Sequence, residues 1–227
     1  MIKLDKVCKT YFLGEEKVKA VDDVSLEIKK GEYVSILGPS GCGKSTLMYL
    51  IGLLDVPSQG KIVIDGKDVS KLPDEELSRF RNEKVGFVFQ SFNLINKFTV
   101  WENVLLPTRY VKSKLDFDPK KKAEELLKQF GIWERKDFFP NKISGGQQQR
   151  VAIARALIMN PGVIMADEPT GNLDQKTGHE ILDLLGKLNK ELEVTIVLVT
   201  HELDIARRTK RRIKMQDGRV VSQGRRK

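Results

Sequence analysis

Cysteine and histidine are nearly missing from this chain, with two of each in 227 residues. Two cysteines, Cys8 and Cys42, give no disulfide framework and fit a reducing cytoplasm. No apolar run approaches the roughly 20 residues that a membrane-spanning helix needs. The opening MIKLDKV does not read as a signal peptide. Work at a membrane is therefore expected only as a peripheral partner. Internal repeats and low-complexity segments are also missing. What remains is 40% hydrophobic and 31% charged, an ordinary globular composition for one large domain, or for a core with a lobe.

The one skew is a net charge of +9. Basic residues crowd ARRTKRRIK (Ala206 to Lys214) and GRRK (Gly224 to Lys227). Such a surface suits nucleic acid or anionic lipid. Without interleaved aromatics or a helix-turn-helix pattern, the expected reading is a solvated basic face and tail near an anionic nucleotide site. Nucleic acid is not an expected partner.

One stretch organises the rest. Residues Gly38, Pro39, Ser40, Gly41, Cys42, Gly43, Lys44, Ser45 and Thr46 fit the phosphate-loop pattern G-x-x-x-x-G-K-[ST]. Glycines let backbone N–H groups turn inward around a phosphate chain that a Cβ would obstruct. Lys44 supplies a point charge to the β- and γ-phosphates, and the Ser45 hydroxyl can ligate Mg²⁺. Cys42 reads as a small space-filler. YVSIL before the loop is strand-like and KSTLMYLIGLL after it is helix-like, the context that turns a motif into a nucleoside triphosphate site.

The remaining chain reads as follows. Residues 1 to 31 are β-rich, with Tyr11 in an early loop, where it either stacks on an adenine or packs locally. SQGKIVIDG is a turn plus strand, PDEELSRFR a helix start and VGFVFQ a buried strand ending in Gln90. From about Ser91 to Pro161 FTVWENVLLP, a lysine-rich amphipathic segment from Asp118 to Phe130 and the run after Ser144 favour helix, as a lobe inserted into an α/β core. The core resumes with the strand in GVIMADEPTG, a helix over Gln175 to Lys190, the strand VTIVLVTH and a hairpin turning at Asp217-Gly218.

Four apolar strands thus end at the phosphate loop, Gln90, Asp167-Glu168 and His201. In open parallel sheets ligands bind beyond the carboxyl ends of the strands, so these groups are expected to converge. Asp167 would hold Mg²⁺ opposite Ser45, and Glu168 would orient or deprotonate the attacking water. His201 would sense the γ-phosphate charge. His179, inside the following helix, is expected in solvent.

ISGGQQQR (Ile143 to Arg150) resembles the LSGGQ signature of ABC-transporter ATPase subunits, with Ile143 replacing Leu. Ser144, Gly145 and Gly146, with Gln147, open a helix whose positive end suits a phosphate. A simple serine N-cap would look the same in isolation. The resemblance spans essentially the whole chain with the family's motifs in order. It implies a P-loop NTPase (RecA-like) core with an N-terminal antiparallel β-subdomain and an inserted helical subdomain. By it the chain is one nucleotide-binding domain, 1–90 and 162–227 forming the core and about 91–161 the helical part. It implies that Tyr11 stacks on adenine, that Gln90 touches Mg²⁺ and water, and that Glu168 is the catalytic glutamate. It makes Asp174, closing GNLD, part of the D-loop and His201 the switch histidine. ATP and Mg²⁺ are then the ligands, and a second copy closes head to tail on the nucleotide. Integral membrane permease subunits take up the motion near Gln90 and the helical lobe, on the cytoplasmic face of the cell membrane.

VGFVFQSFNLINKFTVWENVLLP and LMYLIGLLDVPSQG resemble the branch serving lipoprotein release and macrolide-type export, whose permeases have large extracytoplasmic domains. A cell-division-type regulatory ATPase is the alternative, and a soluble ABC ATPase acting on ribosomes or DNA the third reading. His201-Glu202 replaces the family's usual His-Asp pair, which leaves the identity of the partner open.

Overall fold

The computed structural model describes residues 2–111 and 114–225. The end of the basic tail, Arg226 and Lys227, lies outside the described residues. Strands β1 (Ile2–Leu13) and β2 (Glu16–Ile28) come first, then β3 (Tyr33–Leu37), α1 (Lys44–Ile51), β4 (Gln59–Ile64) and β5 (Lys67–Asp68). Helix α2 (Asp74–Lys84) leads into β6 (Val85–Phe89), followed by α3 (Val100–Leu105), α4 (Pro119–Gln129) and α5 (Gly145–Leu157). The remainder is β7 (Val163–Asp167), α6 (Gln175–Leu192), β8 (Thr195–Thr200), α7 (Leu203–Ala206), β9 (Arg211–Gln216) and β10 (Arg219–Arg225).

These strands form two sheets. One is antiparallel in the order β2-β1-β4-β5; the other runs β10-β9-β3-β8-β7-β6. In the larger sheet β9, β3, β8, β7 and β6 are mutually parallel, and only β10 is antiparallel to its neighbour. Its central strands are buried on both faces, which is why they read as unbroken apolar runs. The strand period of two still sorts their side chains. Val34, Ile36, Met165, Val197 and Val199 face a core shared with α1 and the antiparallel sheet. Ile164, Ala166, Ile196 and Leu198 face a second core built from α3, α4, α5 and α6.

Local chemistry sets the element ends, and in places departs from the sequence expectation. Tyr11 lies within β1, opposite Val18, and not in a loop. The β1–β2 hairpin is longer than its polar sequence suggested, because it turns only at residues 14–15, with Gly14 at φ 63°. Helix α1 stops at Ile51, short of Leu54. Gly52 packs so close to the Phe87 ring that a Cβ would lie 2.7 Å from it, and Leu53 then takes φ 62°. Helix α3 starts at a capping box in which Thr99 and Glu102 satisfy each other's backbone N–H. Pro107 cannot donate to a further helical turn, and a 3₁₀ turn follows.

Between β6 and β7 the described residues hold helices and no strand. Helix α5 carries this segment into the core, because Gly86 on β6 has no side chain to hold it off. A Cβ there would sit 2.4 Å from the Ala156 carbonyl oxygen. Gly86→Ala is expected to destabilise the fold by about 1–3 kcal/mol through overpacking against this backbone. An unchanged midpoint in guanidinium unfolding would show that α5 yields without cost.

Candidate nucleotide site

The parallel register brings the sequence-predicted groups to one edge of the sheet. Leu37 pairs with Thr200, Val199 with Asp167, and Asp167 with Phe89. Gly38, His201, Glu168 and Gln90 are each the next residue after one of these strand ends.

The phosphate loop is built by backbone approaching backbone. A Cβ on Gly38 would lie 2.4 Å from the Met215 carbonyl oxygen on β9 and 2.6 Å from the buried Cys42 sulfur. Gly43 has φ 95°, and a Cβ there would lie 2.1 Å from the Ala20 carbonyl oxygen on β2. The loop is also tied down by Gly218 N–H donating to Cys42 C=O at 3.1 Å. Cys42 is thus the expected space-filler. Helix α1 starts at Gly43 with no side-chain cap and no acidic residue in its first turn, so its positive end faces the loop uncompensated. Lys44 is only 7% exposed. Its ammonium donates to the Pro39 carbonyl at 2.8 Å, turned back across the loop.

Asp167 ends β7 with its carboxyl pushed up to about 6, by burial first and by the charge of Glu168 second, against the pull of Lys44. A half-buried carboxylate in that position suits a cation. Glu168 takes φ 42°, and its N–H donates to Val199 C=O at 3.0 Å. Glu168 Oε1 lies 2.7 Å from His201 Nδ1. His179 lies on α6, as expected.

Gln90 and Asn172 are bound twice: Gln90 Nε2 donates to Asn172 Oδ1 at 3.2 Å, and Asn172 Nδ2 donates to Gln90 C=O at 3.1 Å. Asp174 caps α6 by accepting from Thr177 N–H at 3.0 Å. Ser144 caps α5 in a capping box with Gln147. The atoms nearest a Cβ on Gly145 or Gly146 belong to Leu173, Phe92, Asn172 and Thr177, and none to the phosphate loop. The signature helix and the phosphate loop are therefore not brought together within this chain. Tyr11 is half-buried beside Thr46 and Tyr49 of α1.

Three contributors were not legible in the sequence. Gln149, fully buried, donates to the Pro169 carbonyl at 2.5 Å and ties α5 to the segment after Glu168. Arg155 donates to the carbonyls of Asn93 at 2.6 Å and Phe92 at 2.9 Å, fixing the turn that follows Gln90. Burial pushes its guanidinium down to about 10. Asn172 stood in the GNLD motif, but nothing in the spacing showed that it meets Gln90.

These residues fit a magnesium nucleotide. A buried ammonium, an open helix N-terminus and a loop without Cβ atoms suit phosphates. Among the described residues no group of three or more His, Cys, Asp or Glu side chains could hold a metal. A Mg²⁺ would take few ligands from the chain, Ser45 and Asp167 being the candidates, with the rest from phosphates and water.

The sequence pattern of the family described as ABC transporter matches residues 21–171. The macrolide export ATP-binding/permease protein MacB of Chlorobaculum tepidum is 52% identical over 221 residues, 97% of this chain and 34% of that protein. The lipoprotein-releasing system ATP-binding protein LolD of Leptospira interrogans is 50% identical over 202 residues, 89% of this chain and 84% of LolD. A dimeric structure of the cassette MJ0796 of Methanocaldococcus jannaschii, in a post-hydrolysis state bound to ADP and Pi, superposes with a TM-score of 0.90 at 48% identity, covering 99% of this chain and 98% of that one. The chain belongs to the ABC transporter family. It spans about a third of the length of the MacB relatives.

The raised Asp167 carboxyl makes stability depend on pH. The folded chain binds this proton more tightly than the unfolded chain, where an aspartate titrates near ~3.9. Its stabilisation is full below about pH 4 and lost as pH rises through about 6. In nucleotide-free protein, Asp167→Asn is expected to gain about 1–2 kcal/mol on the wild type between pH 4 and 7, allowing for solvent screening. Parallel unfolding curves for the two proteins across that range would refute this origin.

Proposed function

We propose that this chain is the ATP-hydrolysing subunit of an export- or lipoprotein-release-type ABC assembly, working as a head-to-tail pair on a membrane permease with a large extracytoplasmic domain. It sits on the cytoplasmic face of the membrane, bound through that permease. The observation that carries the reading is the Glu168–His201 pair at 2.7 Å, one residue beyond the half-buried Asp167. Gly38 to Thr46 wrap the phosphates of ATP, Lys44 neutralises them, and Ser45, Asp167 and Gln90 hold Mg²⁺. The bound ion supplies charge neutralisation at the transferring phosphoryl group. Glu168 orients the attacking water and takes its proton, while His201 holds the carboxylate in place. Tyr11 takes the adenine.

Ser144, Gly145, Gly146 and Gln147 close on the nucleotide of the partner copy, with Asp174 at the same junction. The helical segment, about 91–161, moves as a unit against the core of 1–90 and 162–227. The permease docks where that segment meets β6. A cleft of about 750 Å³ lies there, lined by Phe87, Phe89, Leu106, Tyr110, Met159 and Arg155 among others. Among the described residues no helix is long and apolar enough to cross a membrane.

Glu168→Gln is expected to lower kcat by about 10²–10⁴-fold while keeping ATP affinity, and to elute as a dimer in ATP on size exclusion. A monomer at saturating ATP would count against the sandwich. Lys44→Ala is expected to lose nucleotide affinity; full ATPase activity in that variant would refute the phosphate-loop assignment. Membranes of the host, solubilised in detergent and passed over immobilised Glu168→Gln with ATP, should yield a permease with a large extracytoplasmic domain. Retention of ribosomes or DNA in its place would overturn the partner.

A further inference from the structure

Beside the phosphate loop Tyr11 stands in a cluster whose other members, Lys9 and Asp55, the proposed mechanism does not use. Tyr11 O–H donates to Asp55 Oδ2 at 2.7 Å. The Lys9 ammonium donates to Asp55 Oδ1 at 2.5 Å and to the Val56 carbonyl at 2.9 Å. It also sits 5.1 Å above the centroid of the Tyr11 ring, within reach of a cation–π contact. Asp55 is itself fixed. Its N–H donates to the Tyr49 carbonyl at 3.3 Å, and its Oδ1 accepts the Val56 N–H at 2.7 Å. The strand end is tied to the same loop, because Thr10 N–H donates to Ser58 Oγ at 3.0 Å and Ser58 N–H donates to the Cys8 carbonyl at 2.8 Å.

From this geometry we infer that Asp55, backed by Lys9, is a positioning residue that holds the Tyr11 ring ready for the base of the nucleotide. The inference rests on the nucleotide reading above and names a residue to which that reading gave no role. Tyr11 stands near the tip of a long hairpin, where an aromatic side chain would otherwise sample several rotamers. Anchoring its hydroxyl to the loop after α1 fixes the ring relative to the helix that follows the phosphate loop. A ring already immobilised loses less freedom when a base stacks on it. Lys9 occupies one face, so the base takes the other. Lys9 and Asp55 are both mostly buried, with side chains 12% and 24% exposed, which shields the clamp from competing water. Burial alone would raise the Asp55 carboxyl, but its bonds from Lys9, Tyr11 and Val56 outweigh that and keep it below the usual range. It therefore stays an anionic acceptor across the neutral range. Burial first and Asp55 second raise the Tyr11 phenol, so it remains the donor.

The test is calorimetric titration with two probes, ADP and inorganic triphosphate, which share phosphates but not a base. Asp55→Ala and Tyr11→Phe are each expected to weaken ADP about 3–10-fold and to leave triphosphate binding unchanged. The second variant keeps the ring and the packing, so the test survives if Asp55→Ala folds poorly. The double variant should bind ADP no more weakly than the poorer single one, because both remove the same link. Asp55→Asn, which still offers the phenol an acceptor, should recover part of the loss. Equal losses for both probes would make the effect structural and overturn the inference, as would ADP affinities within twofold of wild type in both variants. Wild-type protein that binds neither probe would overturn the nucleotide reading itself, a different result from ADP binding that ignores Asp55.

Discussion

The parallel register of β3, β8, β7 and β6 is the constraint on which the rest depends. These strands are mainly apolar on both faces, one toward the antiparallel sheet and α1, the other chiefly toward α3 to α6. The buried Ser35 hydroxyl within β3 is hydrogen-bonded to Thr209. Charge enters such a layer at least cost where the strands stop. Because the strands are hydrogen-bonded neighbours running the same way, they stop together. Lys44 is buried at this edge and Asp167 is half-buried, and the charge of each offsets that of the other. A one-residue slip between β7 and β8 would turn Asp167 into a core face and take Glu168 away from His201. The fold therefore sets the site at the level of the sheet, before any loop is considered.

Glycines then bring remote segments onto that edge. Gly38 admits the β9 backbone at Met215, Gly43 admits β2 at Ala20, and Gly171 admits the Gln90 side chain, whose Nε2 would lie 2.6 Å from a Cβ there. In the first two cases the phosphate loop is braced by backbone from β2 and β9, which lie in different sheets. The loop's shape is thus a property of packing between the sheets as well as of its own sequence. The same packing explains why the C-terminal hairpin, which carries none of the proposed chemistry, belongs to the site. Gly218 N–H holds Cys42, and Gly218 C=O accepts from Asp22 on β2.

The parts legible in the sequence were those written in local spacing. The phosphate-loop pattern placed Gly38 to Thr46, the apolar strand runs placed Gln90, Asp167, Glu168 and His201, and Asp217-Gly218 marked the last hairpin. The parts not legible were long-range. Tyr11 looked like a loop residue because the hairpin's polar strands follow the solvent, and pairing with Val18 rather than composition makes them strands. That β9 joins the sheet beside β3 is a matter of register with Val34 to Leu37, invisible in RIKMQ. Gln149 stands in a run of three glutamines, and only the fold distinguishes the one that is buried. Arg155 and Asp55 act on backbone and side chains 62 and 44 residues away. The change of composition over 91–161 gives no sign that α5 packs in one core with β7 and β8.

That shared core bears on how the two halves of the proposed sandwich would communicate. Gln90, at the end of β6, is hydrogen-bonded on both its side chain and its carbonyl to Asn172. Two residues on, Asp174 caps α6 through Thr177 N–H, and the Thr177 methyl group fills the space beside Gly146, where a Cβ would lie 2.4 Å away. The strand-end glutamine and the signature helix are thus linked through one short segment by hydrogen bonds and close packing. Arg155 fastens the backbone just after Gln90 to the far end of the same helix. A displacement of Gln90 therefore has two rigid routes to α5, one at each end, and interiors packed at this density transmit displacement instead of absorbing it. If Gln90 follows the γ-phosphate and α5 faces the partner copy, the state of one nucleotide reaches the surface that meets the other through contacts present in the single chain. The cleft proposed for the permease is lined by Arg155 on that helix and by Met159 just beyond its end, so in the proposed assembly force leaving the nucleotide site would pass through α5 before it reached the membrane subunit.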